Sequence, residues 1–354
     1  MTPTGPTSKE LRRFAAEHVD ALAAGAALLG SGGGGDVAVA AQLLRQLLGS
    51  RSVQVVAAKS LAADALVVHV GVVGAPDVLA ERLIAPEDFA IAARAVVAQV
   101  GGELSAVGVI EIGGVNAMIP VLTAAQLGLP VVDGDLMGRA FPRISQTTLA
   151  LAGHRAEPLA VVSPAFDTVI VSTCSAKVAE SLVASCVAAM GGAAALALYP
   201  TTATVLAAVG VPGSLSSCVK LGGNYLTAPS GTMELADQLG GRRVFEGRVE
   251  ELLPRNGPIP GSITLGDHGS GSTVRIDYLD EFLAVTMDGT TLASTPEVIV
   301  ALDPRTRQPL RTDQIRLGQT LVLLTLPALH QWPDGARTVV GPPAFGLDLE
   351  LVPR

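Results

Sequence analysis

Large rings are scarce in this chain: seven Phe, three Tyr and one Trp in 354 residues, an aromatic share of 3%. A core without them has to be filled by Ala, Val and Leu, and 39 glycines allow tight turns and close helix contacts. Charge is scarce as well, at 16% against about a quarter in ordinary soluble proteins. With hydrophobic residues at 49%, a large buried interior is expected and disorder is excluded as the main state. Lys and Arg number 24 against 32 Asp and Glu, and no basic run or basic-aromatic interleaving occurs, which excludes nucleic acid as a partner. Three cysteines, Cys174, Cys186 and Cys218, are too few for a disulfide framework and lack metal-type spacing. They fit small core residues in a reducing compartment, so a cytoplasmic location is expected. The N-terminus has no apolar stretch of the kind a signal peptide needs. Residues 181–219 carry no charge, yet Gly191-Gly192, Pro200, Gly210 and Pro212-Gly213 break them up, so burial rather than membrane insertion is expected.

What is present is strong periodicity. Residues 8–29 place Leu11, Phe14, Val19, Leu22, Ala26 and Leu29 at helical spacing, which predicts an opening amphipathic helix. A glycine run ends it, and Asp36 stands at the N-cap of a second helix over 37–48. β-type runs at 53–57, 65–70, 106–110 and 129–132 then alternate with helical stretches at 86–100 and 114–127. Strands at 159–163 and 168–172 precede helices at 176–190, 202–208 and 215–222. This is α/β patterning with a mainly parallel sheet and flanking helices. After Gly240-Gly241, alternating segments at 244–250, 273–278, 282–285, 298–302 and 320–326 are separated by turns such as Asn256-Gly257 and Asp288-Gly289. The expected division is an α/β domain over 1–240, carrying the glycine loop and an acidic cleft, and a mainly-β domain over 241–354.

The glycine run spells G-x-G-x-x-G through Gly30, Gly32 and Gly35. A dinucleotide fingerprint needs a strand before it and an acid about 20 residues beyond, and neither is present. The expectation is a close-approach loop in which Ser31, Gly32, Gly33, Gly34, Gly35 and Asp36 meet a small polar or anionic ligand; a plain interhelical turn is the alternative. Glu111 is the only ionisable side chain between Glu103 and Asp133. It follows a buried strand and precedes Gly113-Gly114-Val115-Asn116, where open sheets place their ligands; capping of the next helix is the competing reading. The following strand ends in Asp133-Gly134-Asp135, with Arg139 shortly after. Two carboxylates two residues apart on an extended segment share a face, close enough to raise one pKa for acid–base work, and Arg139 offers a planar cation. An Asp-Gly turn with a surface ion pair is the alternative. The five histidines have no zinc spacing and no G-x-S-x-G elbow occurs. A divalent Mg²⁺ or Mn²⁺ held by Asp133, Asp135 and Glu111 is the metal option left open, and no other cofactor is indicated.

The segments GSGGGGD (30–36), VGAP (73–76), EIGGVNAMIP (111–120), LGLPVVDGDLMGRAFP (127–142) and VGPPAFGLDLE (340–350) together resemble the S-methyl thiohydantoin desulfurase-like family. The resemblance extends from about Ala21 to the C-terminus and takes in Tyr199-Pro200, Glu281-Phe282 and Phe345-Gly346. It implies hydrolysis of a sulfur substituent from a five-membered thiohydantoin ring, and relatives that accompany hydantoinase and oxoprolinase proteins. It favours a cleft with Asp36, Glu111, Asn116, Asp133, Asp135 and Arg139, Thr147 as a further substrate contact, and Glu281 and Asp348 contributed by the β domain. Gln146-Thr147-Thr148 and residues 222–240 depart from the family pattern, so substrate choice is expected to differ. In the expected reaction, water activated by Asp133 or Asp135 attacks the ring carbon bearing sulfur, Glu111 and Asn116 bind ring N–H and C=O groups, and Arg139 steadies negative charge. The alternative is a non-catalytic partner subunit of a hydantoinase- or oxoprolinase-type complex; a homo-oligomer is compatible with either.

Overall fold

The computed structural model describes residues 10–75, 78–79, 85–173, 175–229 and 231–349. The predicted opening helix is shorter than its periodicity suggests. Arg13–Phe14 (β1) pairs antiparallel with Val53–Val56 (β2), Ala16–His18 form a 3-10 turn, and the α-helix runs only over Val19–Leu29. Phe14 is fully buried, so a sheet edge captures the segment before the helix can extend backward. Asp36 caps Val37–Leu48 as expected, its carboxylate accepting from the Ala38 N–H at 2.8 Å.

Leu66–Gly74 (β3), Leu104–Val109 (β4) and Val131–Val132 (β5) join β2 in a parallel set ordered β2-β5-β4-β3. Gly134–Asp135 (β6) does not prolong β5. Beyond β3 the sheet turns antiparallel, through Leu159–Val162 (β7), Thr168–Val171 (β8) and Ala193–Thr202 (β9), in the eight-stranded order β1-β2-β5-β4-β3-β9-β7-β8. The sheet is therefore mixed, with a parallel core. β9 lies in the uncharged stretch and is buried from Ala193 to Tyr199; no described helix is long and apolar enough to cross a membrane. Helices Pro86–Val100 and Ile119–Leu127 put Phe89, Ala92, Val96 and Leu122 against Val68, Val70, Val107 and Val109 of the sheet.

Val211–Pro212 (β10) pairs with β6, and the second sheet then begins. Its strands are Arg242–Leu253 (β11), Gly261–Gly266 (β12), Thr273–Tyr278 (β13), Phe282–Met287 (β14), Thr290–Ser294 (β15), Val298–Leu302 (β16), Pro309–Leu310 (β17) and Thr320–Leu326 (β18). All are antiparallel, in the order β15-β14-β13-β12-β11-β18-β16-β17. Period-two alternation divides β16 between two cores: Val298, Val300 and Leu302 join the interior of the α/β sheet, and Ile299 and Ala301 the interior of the β sheet. The mainly-β segment ends in a helical coda, Arg337–Val340 flanked by short 3-10 turns. Trp332, Ala336, Val340 and Phe345 pack there against Leu136, Met137 and Phe141 of the α/β domain.

Candidate functional site

A cleft of about 140 Å³ opens over the C-terminal ends of β3 and β4, lined by Gly34 and Gly35 of the glycine loop, Glu111, Asn116 and Glu281. Glu111 emerges just past β4. Its Oε1 accepts from Asn116 Nδ2 at 2.6 Å and its Oε2 from the Phe141 N–H at 3.2 Å. The Asn116 amide has its orientation fixed, because Oδ1 accepts from the Val72 N–H at 2.7 Å while Nδ2 also donates to the Val72 carbonyl at 3.2 Å. Burial pushes the Glu111 carboxyl up to about 7; the Asn116 and Phe141 hydrogen bonds oppose this and the Asp135 charge adds to it. Glu111 thus orients no helix terminus; it faces a cleft.

Glu281, from the turn before β14, is 4% exposed and is pushed up to about 8, by burial first and then by Asp280 and Glu111. Arg143, Pro142 and Ile144 line the cleft beside Val73 and Leu196, so one end is polar and the other apolar. Of this apolar wall, Leu196 carried no sequence signal as a site residue, whereas Val73 and Gly74 belong to the VGAP segment, which did.

The two aspartates both line a second cavity but take different hydrogen-bond partners. β6 leaves β5 to pair with β10, Val211 opposite Asp135, and Asp133 sits in the break between them. Asp133 turns to the start of helix Ser214–Leu226, accepting from the Ser216 N–H at 2.9 Å and the Ser216 hydroxyl at 2.5 Å, beside that cavity of about 270 Å³. Asp135 is fully buried, and its Oδ2 takes the N–H groups of Ile112 (3.1 Å), Met137 (3.0 Å) and Gly138 (2.7 Å). Burial raises it to about 6 against those hydrogen bonds. It ties the Glu111 loop to the turn after β6 and does not line the cleft. Among the described residues no group of three or more His, Cys, Asp or Glu side chains could hold a metal ion, so the carboxylate set expected for Mg²⁺ or Mn²⁺ is not assembled.

Other expected contacts lie elsewhere. The Ser31 hydroxyl donates to the Ile299 carbonyl at 2.8 Å, Gly32 packs on the Phe282 ring and Gly33 on the Glu281 carboxyl, so this half of the loop docks the β domain. Asp36 is spent on its helix cap and on an ion pair with Arg311 at 3.3 Å. The Thr147 hydroxyl accepts from the Ala150 N–H at 3.1 Å, capping helix Thr148–Leu151, and Asp348 is exposed. Arg139 is 1% exposed and gives its guanidinium to the carbonyls of Ala140 (2.9 Å), Glu297 (2.6 Å) and Phe282 (3.3 Å), the last two in the β domain. It lies over the Phe141 ring at 5.0 Å and is lowered to about 10 by burial. Cys218 is buried with its thiol against the Leu22 and Ile112 carbonyls, burial pushing its pKa up; Cys186 is half-buried, and Cys174 lies outside the described residues.

A crystal structure of a protein from Chromobacterium violaceum has the same fold, with a TM-score of 0.77 over 90% of this chain and 92% of that one at 23% identity. No curated protein matches the chain. The profile of the S-Me-THD-like, N-terminal domain matches residues 17–173, and that of the S-Me-THD-like, C-terminal domain matches residues 174–354. The junction falls before β9, so the second unit lends a strand to the first unit's sheet. The two matches together run from residue 17 to residue 354, and the chain belongs to the S-Me-THD-like family.

Proposed function

We propose that this protein hydrolyses a thiohydantoin-like or related cyclic amide ring, with water replacing sulfur on the ring carbon and a thiol or sulfide leaving. The observation that supports it is Glu111: a buried carboxyl on a small cleft, oriented by Asn116 and raised to about 7, close to the pH at which it would work. The ring class follows from the family likeness. With an S-methyl thiohydantoin, ionised Glu111 takes a proton from water as its oxygen bonds to the carbon bearing sulfur. The C–S bond then breaks, the Glu111 proton goes to the departing methanethiolate, and the second water proton passes to the ring nitrogen as the C=N bond gives way to C=O and N–H. The base falls on Glu111 rather than on Asp133 or Asp135, because Glu111 lines this cleft and the two aspartates do not. The apolar end near Val73 and Leu196 suits a methylthio group.

The test is methanethiol release from S-methyl thiohydantoins by the purified protein. Glu111→Gln keeps the shape and the Asn116 contact yet cannot carry the proton, and should lower kcat by about 10²- to 10⁴-fold. No release by the native protein, or a Gln variant as active as native, would sink the reading.

A further inference from the structure

Glu281 has an arrangement that proton transfer by Glu111 does not require. It lines the cleft from the β-domain side and is almost wholly buried. Its Oε2 has no hydrogen-bond partner among the described residues. No described cation forms an ion pair with it, and the nearby Arg139 directs three of its five N–H groups to backbone carbonyls, acting on Glu281 only through its charge. The glycine loop makes room for this group: a Cβ on Gly33 would lie 2.4 Å from Glu281 Oε1. A buried carboxyl without a cation is costly to ionise, so it rests in the neutral form, with one O–H donor and one C=O acceptor side by side. An amide held cis in a small ring presents the reciprocal pair, a C=O acceptor next to an N–H donor.

We propose that Glu281 is the specificity-determining residue of the cleft, reading the cis-amide edge of a five-membered ring through two hydrogen bonds, one given to the ring carbonyl and one taken from the ring N–H. The inference rests on the ring-hydrolysis reading for its ligand class. Raised to about 8, with Asp280 and Glu111 disfavouring its ionisation and only Arg139 favouring it, the carboxyl keeps its proton at neutral pH. Glutamine offers the same donor and acceptor without a titrating proton, whereas leucine offers neither.

The experiment is calorimetric binding of hydantoin at pH 7 to the native protein, Glu281→Gln and Glu281→Leu, with 1,3-dimethylhydantoin, which has no N–H, as the control ligand. Hydantoin should bind the Gln variant within about threefold of native and the Leu variant about tenfold or more weaker, as two net hydrogen bonds warrant. Dimethylhydantoin should bind all three alike and weakly. Native binding of hydantoin should also weaken above about pH 8 while the Gln variant stays level, a readout that holds even if the Leu variant does not fold. Loss of binding in the Gln variant, equal binding in the Leu variant, or no binding of hydantoin to the native protein would overturn the proposal. Methanethiol release measured in parallel separates the two readings: binding that depends on Glu281 without turnover removes the hydrolase and keeps the recognition role, and turnover indifferent to Glu281 does the reverse.

Discussion

A carboxyl that ionises near pH 7 can take a proton and return it within one turnover, and Glu111 is placed there by burial. Glu281, on the same cleft, should be needed in its protonated form. kcat/KM for methanethiol release is therefore expected to rise as Glu111 loses its proton near 7 and to fall as Glu281 loses its own near 8, a narrow bell whose alkaline limb moves out in Glu281→Gln. The same protons act on stability. Both groups titrate in the folded protein above their ordinary value of 4.5, so the folded state holds more protons than the unfolded one at neutral pH. Their contribution is complete below about 4.5 and is lost as pH rises to about 8, and urea midpoints should fall across that window in the native protein and less in Glu281→Gln. Asp135, raised from 3.8 to about 6 by burial, adds to that loss between those two values, and its Oδ2 also serves three buried N–H groups. Asp135→Asn weakens charge-assisted bonds to buried N–H groups and should lower the unfolding free energy by about 1–3 kcal/mol, read by chemical denaturation. The isolation of Glu111 in an uncharged stretch was a visible sign of cost and hence of use. The division of labour between Asp133 and Asp135 was not visible, because it depends on β6 pairing with β10, a contact distant in sequence.

At the scale of elements, the glycines show what a sequence can and cannot convey. The run at 30–35 announces a tight loop, and its strongest constraint lies on a partner in another segment. Gly114 has φ +60°, and a Cβ there would sit 2.1 Å from the Gly34 carbonyl, which also accepts the Val115 N–H at 2.7 Å. That left-handed residue cannot open an α-helix, so the segment predicted as a helix from 114 starts as a 3-10 turn over Gly114–Ala117 and turns α-helical only at Ile119. Gly114→Ala should accordingly cost more stability than Gly128→Ala, although both have positive φ, because nothing lies within 4 Å of a Cβ at Gly128; thermal melts of the two variants compare them. β9 was illegible for another reason. Its Ala-Ala-Ala-Leu-Ala-Leu run has helical propensity, and only pairing on both sides, with β3 and β7, makes it a strand. The β-domain strands 273–278, 298–302 and 320–326 were legible in full, since turn residues bracket each of them.

Across the whole molecule, the cleft exists only where the two sheets meet, because Glu111 and Asn116 come from one and Glu281 from the other. Arg139 holds that junction by reaching the Glu297 and Phe282 carbonyls. Arg139→Met keeps much of the side-chain stem but leaves those carbonyls without their donor, and should cost about 1–3 kcal/mol for each buried acceptor left unpaired. Denaturation followed by the single tryptophan, Trp332, which packs against the α/β domain, would show a lowered midpoint; an unchanged one would mean that the guanidinium is dispensable. The coda that carries Trp332 also bears on how the protein is made. The α/β sheet has all its strands once Thr202 has been synthesised, yet part of its interior, around Leu136, Met137 and Phe141, is closed by residues 332–345, which leave the ribosome only after the entire second sheet. During that interval a patch of apolar surface faces solvent or a chaperone, so protein synthesis halted before residue 332 should yield chains that aggregate, even though every strand of both sheets is already present.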